Sequence, residues 1–174
     1  QNAALVADQG AQLNVAKQQL AQAQSLVSTL EPMLANAQSA VTAAQAQIPA
    51  LEQQAAALKT VSDTAQAEYD SALAASPIQQ LERTYQEAQA AVDTARGDLT
   101  EEEWAAQDPV GSAPLLAARD SAKQAYEAEQ QRLAALQTAA ATAKAQADAA
   151  NGTLAAAQQG LAAAQQTVND TQAH

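Results

Sequence analysis

Residues 97–114 read GDLTEEEWAAQDPVGSAP, and this stretch decides how the rest of the chain is arranged. It is the one long interruption in a text that otherwise spells helix almost without pause. Gly97 ends a helical pattern. Leu99-Thr100-Glu101-Glu102-Glu103-Trp104 then supplies a threonine cap, a glutamate at the reciprocal position, and Leu99 and Trp104 at the spacing of a hydrophobic staple. Acids in a first turn also suit the positive end of a helix dipole. A short helix to about Gln107 is expected, followed by a loop through Asp108-Pro109 and Gly111-Ser112-Ala113-Pro114. The chain therefore turns here, between two long arms.

Both arms are built mainly of alanine and glutamine, among the better helix formers. In the first, apolar residues recur at alternating three- and four-residue steps: Val6, Leu13, Ala16, Leu20, Ala23, Val27, Leu30, Leu34, Ala37, Val41, Ala44, Ile48, Leu51, Ala55 and Leu58. The pattern weakens at Ser62 and continues through Ala65, Tyr69 and Ala72. Sustained over so many heptads, it predicts a coiled-coil seam. The second arm repeats the pattern from Leu115 through Ala122, Tyr126, Leu133, Leu136, Ala140, Ala143, Ala147, Ala150, Leu154, Ala157, Leu161 and Ala164 to Val168. It passes Asn151-Gly152 without losing register, so one helix over 115–172 is expected. Because alanine offers little area to bury, such a seam holds a thin assembly and no thick core.

Three prolines bear on the first arm. Pro32 and Pro49 lie inside the seam, where proline kinks or ends a helix. Ser76-Pro77-Ile78-Gln79 reads as a fresh start, with serine as cap, proline in the first turn and glutamine three residues on. The seam also slips there, resuming at Ile78, Leu81, Tyr85, Ala88, Val92 and Ala95. Two topologies follow. A plain hairpin would pair an arm of about 95 residues with one of about 59, leaving about 36 without a partner. Reversals near Pro49 and Ser76 would instead give runs of about 47, 26, 31 and 59 residues that nearly cancel, a four-helix head on a two-helix stalk, with Tyr69 and Tyr85 able to meet. Length balance favours the second, and unbroken register across Pro49 speaks against it. Either way the expectation is one all-α domain over 1–174: an elongated antiparallel coiled-coil or helical hairpin, widening to a three- or four-helix bundle at one end.

Composition limits function. A net charge of −11 argues against nucleic acid, whose phosphates are met by Lys and Arg, and against anionic membrane surfaces. No run approaches the roughly 18 apolar residues of a membrane span, so this segment is not expected to insert in a bilayer. There is no cysteine and the sole histidine is His174, which leaves no thiolate metal site, imidazole base or Ser-His-Asp triad. The acids around the turn lack the spacing of a calcium loop, and no glycine-rich phosphate loop occurs. No enzyme, metal or cofactor is expected.

The charge is unevenly placed. Residues 61–132 hold fourteen of the nineteen acids, five of the eight bases and all four aromatics. The turn is thus the candidate recognition surface: Asp98, Glu101, Glu102, Glu103 and Asp108 supply the charge, with Trp104 as anchor. Capping and solubility account for part of the acid content, and a stapled Trp104 would be structural. The partner expected is another protein, and a homodimer along an unpaired arm is a further possibility. High alanine, low lysine and the lack of cysteine suit a bacterial protein outside the cytoplasm.

The rhythm of Leu20-Ala21-Gln22-Ala23-Gln24 and Leu154-Ala155-Ala156-Ala157-Gln158 resembles the α-hairpins of bacterial membrane-fusion adaptors of efflux and secretion systems. It is also similar to the coiled-coil regulatory regions of secreted cell-wall hydrolases. The residues themselves favour a non-enzymatic scaffold or spacer of a bacterial envelope or surface protein, displaying an acidic tip for protein contact. The resemblance implies the alternative, a regulatory coiled coil that binds and controls a partner enzyme or membrane complex.

Overall fold

In the computed structural model, residues 2–173 are described, with side chains from Asp8 onward. Val6 of the seam and His174 lie outside the described side chains. The described chain is all-α: α1 (Asn2–Ala75), α2 (Ile78–Arg96), α3 (Glu101–Gln107) and α4 (Pro109–Gln172). It groups into two compact units, one of Gln1–Ala55 with Ala149–His174 and one of Ala56–Asp148.

The seam is real, and it is heptad-spaced. On α1 the covered residues are Leu30, Leu34, Ala37, Val41, Ala44, Ile48, Leu51, Ala55, Leu58, Ser62, Ala65, Tyr69 and Ala72, each three or four residues beyond the last. On α4 they include Ala122, Tyr126, Glu129, Leu133, Leu136, Ala140, Ala143, Ala147, Ala150, Leu154, Ala157, Leu161, Ala164, Val168 and Thr171. The buried apolar residues of these two helices are all alanines, Ala37, Ala55, Ala140, Ala143 and Ala147. Small side chains let helix axes come close but contribute little area each. Outside the seam, Ser and Thr hydroxyls donate to the carbonyl four residues back, as Thr42 does to Gln38 and Thr138 to Ala134. Lys59–Asp63 and Lys144–Asp148 pair across one turn, each contributing a few tenths of a kcal/mol.

The reversal expected at Pro49 does not occur: α1 runs unbroken through both Pro32 and Pro49. Each proline removes one helical hydrogen bond, from the carbonyls of Ser28 and Gln45, but all four residues are on the exposed face. Water can satisfy the freed oxygens there, while Ile48 and Leu51 keep their seam positions. Asn151-Gly152 likewise passes inside α4 as expected.

Ser76-Pro77 does end α1, yet the chain does not reverse there either. Ser76 Oγ bonds Glu129 of α4, and nine residues further on the Tyr85 ring stacks on Tyr126, centroids 6.3 Å apart. As one arm advances the other recedes, so α2 keeps running antiparallel to α4. Length enforces this. From Pro109 to Glu129, α4 extends about 30 Å past the break, and α2 must follow it for the short linker through α3 to close. Tyr85 therefore meets Tyr126 and not Tyr69. No capping box forms at Ser76 and Gln79: the Ser76 hydroxyl accepts from Ile78 N and donates to Glu129. The plain hairpin is the topology adopted, and at the turn three helices, α2, α3 and α4, pack together, not four.

Candidate interaction tip

α2 ends at Gly97, whose φ of +59° and ψ of −126° belong to backbone that only glycine enters cheaply. Arg96 holds the following turn from within, donating to Leu99 O and pairing with Asp93. Thr100 then caps α3 in full. Its Oγ1 accepts from Glu103 N at 3.2 Å, and Glu103 Oε2 accepts from Thr100 N at 3.0 Å. These bonds hold the Glu103 carboxyl below its ordinary pKa, the Thr100 backbone bond having the larger effect. Trp104, one residue on, is only 5% exposed. With Val92 of α2 and Ser112 of α4 it is one of the three buried residues of this end.

Asp108 joins α3 to α4 with no loop between. Its N–H donates to Trp104 O, closing α3, and its carbonyl accepts from Ser112 N, opening α4. Its side chain accepts from Gly111 N at 3.0 Å, the bond of a capping aspartate. Pro109 takes the first helical position, where its missing N–H costs nothing. The expected loop over 108–114 is therefore helix, and α4 begins six residues before Leu115. A Cβ at Gly111 would meet only the Asp108 carboxylate, the end of a side chain that can swing aside at the cost of its bond from Gly111 N. Pro114 lies inside α4.

α3 is tied to α4 by Arg119, a residue the apolar pattern passed over. Its guanidinium pairs with Glu101 and with Asp120, and both carboxylates raise its pKa, Glu101 first. Glu129 was passed over in the same way. It occupies the seam position between Tyr126 and Leu133, only 13% exposed in its side chain. Arg132 grips it through Nε and Nη2 at 2.8 and 2.7 Å and Ser76 donates at 2.6 Å. Arg132 first and Ser76 second hold the Glu129 carboxyl down at about 2. A polar residue at a seam position was the available signal for both Arg119 and Glu129.

The six tip residues thus divide. Glu101 is ion-paired, Glu103 and Asp108 are caps, and Trp104 is inside the cluster and offers no surface anchor. Asp98 and Glu102 are exposed and make no hydrogen bond or ion pair among the described residues. Residues 93–120 carry seven acids against two arginines, Arg96 and Arg119, both already paired. No cluster of three or more candidate metal ligands occurs among the described residues, and none of their helices is long and apolar enough to cross a membrane. In the unit of Gln1–Ala55 and Ala149–His174, an open groove of about 230 Å³ runs between Gln38, Val41 and Thr42 of α1 and Gln165, Val168 and Asn169 of α4. Compared with known proteins, the chain matches no family model, no curated protein and no solved structure.

Proposed function

We propose that the chain is a non-enzymatic helical scaffold, a spacer of a bacterial envelope or surface protein that meets a basic protein surface through its tip. One observation carries this reading. After capping and ion pairing have taken their share of the acids, Asp98 in the turn before α3 and Glu102 on α3 remain exposed, and α3 itself is capped at both ends and tied to α4 by Arg119. An exposed carboxylate on a braced helix loses little freedom on binding, which is how a small charged patch gains affinity. The net negative charge around it would steer a basic partner and repel nucleic acid. An alanine-rich, lysine-poor composition suits a bacterial protein, and the lack of cysteine is compatible with a place outside the cytoplasm.

The test is site-specific photo-crosslinking in the native cell, with the probe at Glu102 in one variant and at Ala134, on the exposed face of α4, in another. Adducts from Glu102 that disappear on Asp98→Asn support the reading. Adducts from Ala134, or none from Glu102, overturn it, and the first of these outcomes would favour a regulatory coiled coil engaged along its length.

A further inference from the structure

The first three turns of α4 present a face that capping and ion pairing leave alone. Between Asp108 and Arg119 the chain carries no charge, in a region that otherwise holds seven acids over residues 93–120. Ser112 is buried, and Gly111, Leu115, Leu116 and Arg119 are half-buried, so these form the inner side of the helix. Pro109, Val110, Ala113, Pro114 and Ala117 lie on the other side, at helical steps of three and four, and all are exposed. At 85% exposed, Val110 is the most open large apolar side chain among the described residues. Pro114 also offers no N–H to the Val110 carbonyl four residues back, which leaves that oxygen without its helical bond. From Pro109 to Ala117 the face runs about 12 Å along the axis.

We propose that this face is the apolar centre of the tip's contact and takes a basic amphipathic helix, whose apolar side chains lie on it between Lys or Arg residues. The inference rests on the reading of the tip as a contact for a basic protein, and it adds the chemistry of the partner segment. Protein interfaces place uncharged residues at the centre and polar ones at the rim, and α4 has that arrangement. Asp108 stands at one end of the face. Asp120 flanks the other, three residues past Ala117 and about 18 Å from Asp108 along the axis. Each keeps a carboxylate oxygen with no donor among the described residues: Asp108 accepts from Gly111 N through Oδ1 alone, and Asp120 from Arg119 through Oδ1 alone.

Charge selects the occupant. A second copy would set the same acids against Asp108 and Asp120, like charge against like at both ends. Nucleic acid and anionic membranes meet the same repulsion. A helix with Lys or Arg on either side of an apolar row turns each of those contacts into an attraction. Shape agrees with charge. Ala113 and Ala117 are small enough for a second helix axis to come within ~8–10 Å, with Val110 and Pro114 standing as ridges beside them. The face is also preformed: Asp108 joins α3 to α4 through its own N–H and carbonyl, with no loop to be ordered on binding.

Two synthetic helical peptides of about fourteen residues test the proposal on the whole chain. Both carry the same lysines; one has leucines along its other face, and the second has serines in their place. Fluorescence anisotropy should show the leucine peptide bound about tenfold more tightly. Val110→Ser with Ala113→Ser should remove that preference, and Ala134→Ser, on the exposed face of α4 further along, should not. Asp98→Asn with Glu102→Gln should weaken both peptides alike. The replaced residues are exposed, and circular dichroism and Trp104 emission show that the variants keep their fold. Equal binding of the two peptides overturns the proposal and leaves the reading of the tip standing, whereas binding of neither removes both. A leucine preference that survives the double serine variant also overturns it, as does sedimentation showing that the chain self-associates through Val110.

Discussion

Ser76 Oγ donates to Glu129 Oε1 at 2.6 Å, bonding the two arms of the hairpin at the point where α1 gives way to α2. Both are seam positions, and both are polar. Arg132 completes the arrangement from one turn along α4, so the carboxylate has three donors around it. A seam of alanine tolerates sliding, because one alanine layer resembles the next. A hydrogen-bonded polar layer at a single height does not, and it specifies register in the way that a lone buried polar residue does in a coiled coil.

This layer has a pH signature. Because the folded carboxyl is held at about 2, below its ordinary 4.5, the layer's stabilisation is complete above about pH 4.5 and fades as pH falls towards 2. Glu129→Gln should lower the thermal midpoint at neutral pH, and the gap between variant and parent should narrow steadily below pH 4.5. Thermal unfolding followed by circular dichroism between pH 2 and 7 measures it. A gap that stayed constant to pH 2 would mean that the Glu129 charge has no part in holding the arms.

Trp104 provides a second test, since its burial separates structure from recognition. Trp104→Ala should destabilise the three-helix end by roughly 3–5 kcal/mol, the usual cost of emptying a core tryptophan site. A residue presented on the surface would cost little. As the only tryptophan it also reports on itself, with blue-shifted emission in the native protein that moves red as this end unfolds. Denaturant titration read by fluorescence and by circular dichroism checks both.

Pro49 marks the limit of what the residues alone could decide. The heptad was legible from Leu30 to Val168 because burial follows spacing, and Leu, Val and Ile fix the phase even where alanine is ambiguous. The capping box at Thr100 and the helix end at Gly97 were legible for the same local reason. Topology was not. Whether proline breaks a helix depends on which face its lost hydrogen bond falls, and that depends on a partner helix about 115 residues away in α4. Asp108 was misread as a loop residue because aspartate before proline signals a turn and a helix start equally. At the tip, the acids were found by composition, but their division into caps, an ion pair and free carboxylates rests on Arg119, which no apolar pattern marks.

An interior, exposed proline makes a definite claim about stability. Pro49→Ala restores the N–H that Gln45 O lacks and should stabilise the hairpin by about 1–3 kcal/mol. Had the chain turned at Pro49, alanine would instead have weakened the turn. A raised thermal midpoint with undiminished ellipticity is the expected result.

Two glycines make the last case, since the same substitution should have opposite signs. Neither Gly97 nor Gly152 has any atom within 4 Å of where a Cβ would sit, so crowding decides nothing at either site. The backbone does. Gly152 lies inside α4 with helical geometry on its exposed face, and alanine there reduces the entropy of the unfolded chain: Gly152→Ala should stabilise by about 0.5–1 kcal/mol. Gly97 holds φ at +59° with ψ at −126°, where an L side chain is strained wherever space allows it. Gly97→Ala should therefore destabilise by roughly 1–3 kcal/mol, the cost of sparsely populated backbone. That loss should appear at the three-helix end, seen as red-shifted Trp104 emission at lower denaturant. Equal effects at the two glycines would mean that α2 need not end where it does, and that the tip's geometry is set by α3 and α4 alone.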